Sequence, residues 1–179
     1  MLEITIPEQE LFNESTSEFI NIKAQTLKLE HSLVSVSKWE SKWKKPFLSK
    51  DKKTREETID YIRCMTITQN INPIVYIGLT DENVECVSKY IDDPMTATWF
   101  NEPEVRKSQE VVTSELIYYW MVALNIPFEC QKWHLNRLMT LIRVCNIKNQ
   151  KPKKMSTRAI MSRNQALNAA RRKQLNTKG

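Results

Sequence analysis

Few residues in this chain of 179 have the type and spacing to do chemistry. Cys130 and His134 stand four apart, which on a single helix would set two metal ligands side by side. A metal site needs three or four ligands, and His31 is the only other histidine. A core cysteine beside a partly exposed histidine is the simpler expectation. The same scarcity leaves a Cys–His nucleophile without a third, orienting group. Paired carboxylates occur at Asp92–Asp93 and Glu56–Glu57. The first pair adjoins a proline in an expected loop, and the second falls in a helix's first turn, where acids offset the helix dipole. No acid–base or nucleophile set emerges, so no enzyme, cofactor or metal centre is expected.

Two stretches mix bases with apolar residues. Trp39 and Trp43 interleave with Lys38, Lys42, Lys44 and Lys45. That pattern could stack and neutralise a single nucleic-acid strand. An amphipathic helix that buries its tryptophans under a lysine-covered wet face accounts for it better. The closing stretch KMSTRAIMSRNQALNAARRKQLNTKG contains no carboxylate. Its apolar thread of Ile160, Leu167 and Leu175 is interrupted by Asn164 and Arg171, and bases appear on every side. Such a stripe is too narrow to stabilise an isolated helix, which should become ordered on an acidic surface, either protein or phosphate. The segment has no aromatic residue and no nucleic-acid reader motif, which ranks protein ahead of nucleic acid as its partner. Arg158, Ile160, Arg163, Leu167, Arg171, Arg172 and Leu175 are the candidate partner-binding residues.

These residues must be positioned by elements that the pattern of the chain outlines. Residues 3–30 contain short runs rich in Ile, Phe, Thr and Leu, with turn chemistry in NESTS. They predict a small antiparallel sheet of about three strands, including a hairpin. Helical spacing follows: Val36, Trp39 and Trp43 before Pro46, then a helix opened by a Thr54–Glu57 capping box and carrying Ile59, Ile62 and Met65. Pro73 suits the first turn of a short helical piece, and Thr80 an N-cap for a helix with Val84, Val87 and Ile91 on one face. Residues 94–108 read as a loop.

SQEVVTSELIYYWMVALNI then predicts a helix apolar nearly all round, central in the core, with Tyr118, Tyr119 and Trp120 buried. A second helix follows from FECQKWHLNRL, its Phe128, Leu135, Leu138, Ile142 and Cys145 on one face and Trp133 and Val144 opposite. The short NIP turn would make the two an antiparallel pair. A linker with Pro152 leads to a last helix capped by Ser156. The expected fold is α+β, mainly α, with a small N-terminal antiparallel β-sheet, a compact helical bundle and a basic C-terminal helix. Residues 1–150 would form one globular domain, its β-hairpin region near 3–30 and its helical body near 32–149. Residues 151–179 would form the linker and basic helix.

Composition narrows the function classes. Only Gly78 and Gly179 are glycines, too few for the common phosphate-cradling loops. Cys64, Cys86, Cys130 and Cys145 show no CxxC or zinc-finger spacing, so four reduced, buried thiols in a cytosolic protein are expected. MLEITIPEQELF lacks the features of a signal peptide, and no apolar run reaches membrane-spanning length. The net charge of +6 is unevenly placed. Residues 1–129 hold 14 Lys/Arg and all 21 Asp/Glu, whereas residues 130–179 hold 13 Lys/Arg and no acid. The basic part is suited to an acidic partner.

SELIYYWMVALNIPFECQKWHLNRLMTLIRVCNIKNQ and the closing basic stretch resemble the C-terminal half of the tail assembly chaperones of tailed bacteriophages. HSLVSVSKWESKWKKPFL and DDPMTATWF resemble the same group, so the likeness touches most of the chain. It implies a non-enzymatic, mostly helical protein of the infected host's cytoplasm. Such a protein binds the tape measure protein, helps recruit tail tube subunits and is absent from the finished virion. An oligomer is compatible with this reading. A neck or tail protein of the virion, docking through its basic helix, and a nucleic-acid-binding regulator are the alternatives.

Overall fold

The fold, described from a computed structural model, is α+β and mainly α: four short strands followed by six α-helices among the described residues. Those residues are 1–13, 18–100, 111–150 and 156–177. The chain forms two compact units, Met1–Asn146 and Ile147–Gly179.

Strands β1 (Leu2–Ile6) and β4 (Gln25–Leu29) pair antiparallel, Ile4 opposite Leu27 and Ile6 opposite Gln25. Their alternation is strict: Ile4, Ile6, Leu27 and Leu29 are buried, while Glu3, Thr5, Thr26 and Lys28 face outward. Strands β2 (Gln9–Asn13) and β3 (Glu18–Ile22) form a second antiparallel ladder. There are thus four strands in two two-stranded sheets, where the sequence suggested about three in one. Pro7 lies between β1 and β2 and has no N–H to give a ladder, a local reason for the interruption. The expected NESTS turn falls mostly on residues 14–17, outside the described residues.

The helices begin where side chains can cap them. Ser32 and Ser35 make a reciprocal capping box for α1 (Leu33–Trp43), which ends at Lys44 with φ 55°. Thr54 and Glu57 do the same for α2 (Arg55–Met65), and Thr80 with Asn83 for α3 (Asp81–Asp92). Between α2 and α3, Pro73–Gly78 is a 3₁₀ turn, and the Asn72 side chain accepts from the Ile74 N–H. This turn lies so close to the sheet that a Cβ on Gly78 would sit 2.3 Å from Gln9 Nε2 and 3.0 Å from Ile22 Cδ1. Gln9 Nε2 donates to the Gly78 carbonyl at 2.6 Å.

Helix α1 is the hub. It packs on α2, on α4 (Ser114–Ala123) and on a second 3₁₀ turn, Phe128–Lys132, while α3 packs on β1. Leu33, Val36, Trp39, Ile62, Met65, Ile117, Met121, Leu135 and Leu138 are almost wholly buried there. Glu40 is buried as well, and its carboxylate accepts from Phe47 N at 2.7 Å and Ser114 N at 2.8 Å. The charge thereby caps the positive end of α4.

Several expectations need correction. Helix α4 begins at Ser114, capped by Thr113, and residues 111–113 are not helical; residues 108–110 lie outside the described residues. It is not core on all sides. Ile117 and Met121 are buried, but Tyr119 is 65% and Val122 60% exposed. Apolar content all round tells nothing of which faces find partners. FECQKWHLNRL is not one helix either: the 3₁₀ turn is separate, and α5 (Leu135–Asn149) starts after a break at Trp133 and His134. There the Leu135 N–H bonds the His31 carbonyl at 2.7 Å, and His134 bridges to Ser32. Phe128 is consequently exposed, and the connection from α4 to α5 is longer than the NIP turn. Of the four cysteines, all free, only Cys130 is buried; Cys86 is exposed. Residues 94–100 have neither helix nor strand, and the rest of the expected loop, from 101, lies outside the described residues.

Candidate functional site

Helix α6 (Thr157–Leu175) carries every candidate partner-binding residue. Local chemistry makes it helical: Ser156 Oγ accepts from Ala159 N at 3.2 Å, the interior is rich in Ala, Gln, Arg and Leu, and Asn176 closes it at φ 52°. Arg172 and Lys173 in the last turn oppose the negative end of the dipole, but no acid occupies the first turn. None of its residues is buried. Ile160 is 45% exposed, Leu167 44% and Leu175 71%.

At 3.6 residues per turn, Arg163, Leu167, Arg171 and Leu175 project within about 60° of Ile160, so five of the seven candidates form one stripe. Arg158 and Arg172 project more than about 100° from it and belong to the other side. Met161, 63% exposed, extends the apolar surface toward Arg172 and was not singled out from the sequence. The stripe alternates aliphatic and guanidinium groups along its length. That is the chemistry of a helix that docks on a surface carrying both apolar and acidic groups.

The tryptophan–lysine pattern of α1 lies on the body and is tied up there. Trp39 is buried and its Nε1 donates to the Glu57 carbonyl at 2.9 Å. Trp43 Nε1 donates to Asp60 Oδ2 at 2.9 Å, and Lys42 pairs with Asp60 Oδ1. Lys45 pairs with Glu57 at 2.6 Å, which with the Thr54 backbone bond holds that carboxyl below the usual range. The Lys53 ammonium lies 4.4 Å from the Phe47 ring centroid. The pattern is thus the seam between α1 and α2.

Cys130 and His134 do not form a helical ligand pair, because the break at 133–134 separates them. His134 is buried, not partly exposed, and its ring meets His31 edge-on at 5.0 Å between centroids. Tyr61 Oη and His31 Nδ1 share a hydrogen bond of 2.5 Å. His134 Nε2 lies 3.0 Å from the Tyr90 carbonyl, which can only accept, so Nε2 carries the proton. Its buried Nδ1 has no hydrogen-bond partner among the described residues. Burial, and then His134, lower the His31 pKa to about 3. The two histidines are 103 positions apart, and no local signal could have joined them. Among the described residues no group of three or more His, Cys, Asp or Glu side chains could hold a metal ion, and no helix is long and apolar enough to cross a membrane.

Comparison with known proteins finds no match among family models, curated proteins or solved structures.

Proposed function

We propose that this chain is a non-enzymatic bacteriophage morphogenesis protein of the tail assembly chaperone kind. In the cytoplasm of the infected bacterium it binds the tape measure protein and promotes assembly of tail tube subunits. The observation that carries this reading is α6: 19 residues of helix with no carboxylate, no buried residue and one stripe of alternating aliphatic and arginine side chains. On a partner helix or groove the stripe would bury Ile160, Leu167 and Leu175. Arg163 and Arg171 would then make bidentate pairs with the partner's carboxylates. Exposed ion pairs contribute little each, so the aliphatic burial supplies most of the affinity and the arginines the selectivity. The family resemblance supplies the identity of the client.

Co-expression with tagged tape measure and tail tube proteins tests this directly. The full chain should co-purify with the tape measure protein, and a chain ending at Gln150 should not. Unchanged co-purification of the truncated chain would remove α6 from the contact. Stoichiometric recovery of the chain from purified particles would instead select a neck or tail component. Binding to mixed-sequence DNA that collapses with added salt would select a nucleic-acid partner.

A further inference from the structure

A groove of about 610 Å³ on the body runs between α1, α2 and the first 3₁₀ turn. Trp43, Ile59, Pro73, Tyr76 and Ile77 give it apolar walls. Tyr76 is buried, whereas Ile77 is 57% exposed. Asp60, also lining it, already holds Lys42 on one oxygen and the Trp43 indole N–H on the other, so its own polar needs are met. Arg55 and Arg63 stand on the rim, exposed, and among the described residues neither forms an ion pair. Eight residues apart on α2, they are separated by about 12 Å along the helix axis.

We infer that this groove docks an amphipathic helix of a partner protein, with aliphatic residues facing Ile59 and Ile77 and carboxylates facing Arg63 and Arg55. The guanidinium fork matches a carboxylate bidentately, and two turns of a partner helix span the distance between the two arginines. Glu56 lines the same rim beside Arg55 and weakens its pull on an anion, so Arg63 carries more of the discrimination. A second copy of this chain offers no suitable occupant in α6, which has no acid and would set like charges against both arginines. A nucleic-acid strand would find the arginines but only one partly covered ring, since Trp43 is half-buried and packs on Trp39, and Tyr76 is buried. No residue of α6 takes part, so the groove's role is independent of the chaperone reading.

The test uses the full chain carrying Arg158→Gln, Arg163→Gln, Arg171→Gln, Arg172→Gln and Lys173→Gln, which removes every basic side chain of α6 as a competing anion site. Two synthetic helical peptides with the same leucine face, one with glutamates and one with lysines flanking it, are titrated while Trp fluorescence is followed. The glutamate peptide should bind and the lysine peptide should not. Ile77→Asp and Arg63→Glu, both at exposed positions, should each weaken binding at least about tenfold, and Arg55→Glu by less. Equal binding of the two peptides, or an Ile77→Asp variant that binds as the parent does, would overturn the inference. So would sedimentation showing a dimer that Ile77→Asp dissociates, which would assign the groove to a second copy.

Discussion

Glu40 joins three segments through one carboxylate. It belongs to α1, yet its two oxygens receive the amides of Phe47 and Ser114, both in the interior. Removing a buried partner leaves donors unsatisfied, which costs more than the bond itself contributes. Glu40→Ala should therefore destabilise the fold by about 3 kcal/mol, and Glu40→Gln, which keeps one acceptor, by less. Urea denaturation of the two variants checks the order. An alanine variant no less stable than the glutamine variant would mean that the carboxylate does not hold α4. Lys45 and Lys42 are mostly exposed, but their carboxylate partners Glu57 and Asp60 are buried, so losing either lysine should cost more than losing a surface ion pair and less than losing Glu40.

Among the elements, α1 and α6 are opposites built from similar residues. Both are capped by a serine, and α1 carries two bases to the five of α6. In α1 the apolar face meets α2 and α4, and Leu33, Val36 and Trp39 vanish from solvent. In α6 nothing is buried, so no core packing supports it and propensity and caps carry most of its stability, which is marginal at this length. Backbone amides of α6 should exchange with deuterium at least about a hundredfold faster than those of α1, since exposed fraying helices open at little cost while core elements open only with the whole fold. Exchange mass spectrometry reads both in one experiment. Protection in α6 equal to that in α1 would contradict an exposed, self-supported helix. Adding a bound client should slow α6 selectively.

At the scale of the whole molecule, charge and acid response separate. Unit Met1–Asn146 holds 17 Lys/Arg and 21 Asp/Glu, and unit Ile147–Gly179 holds 10 Lys/Arg and no acid, giving −4 and +10. Acid sensitivity belongs to the first. His31 is buried neutral, with a folded pKa near 3 against an ordinary 6.5, so below pH 6.5 the unfolded chain binds a proton that the folded chain refuses. Stability is fully present above pH 6.5 and declines as pH falls toward 3, by up to about 1.4 kcal/mol per pH unit from this one group. Glu57, whose pKa is lowered from 4.5, adds its own loss only at lower pH. The slope of unfolding free energy between pH 6.5 and 5 should flatten in His31→Gln. A slope unchanged in that variant would assign the acid response to other groups.

The sequence by itself determined what depends on neighbours within one or two turns. The Thr54–Glu57 box and the Thr80 and Ser156 caps are satisfied by groups three residues away, and Pro73 suits its turn by its own fixed φ. The charge split is read directly off the chain, and the α+β, mainly α class follows from the order of such segments. The candidate stripe on α6 was readable for the same reason, though its partner is not. Only the tertiary structure decided where the chain meets itself. Glu40 reaches Ser114 across 74 positions, His31 lies against His134, and the His31 carbonyl takes the Leu135 amide that starts α5. The exposure of Tyr119 and Val122 and the groove beside Ile59 and Ile77 belong to the same class. Periodicity shows that a face is apolar, but which apolar face is covered depends on packing among segments that the sequence leaves far apart.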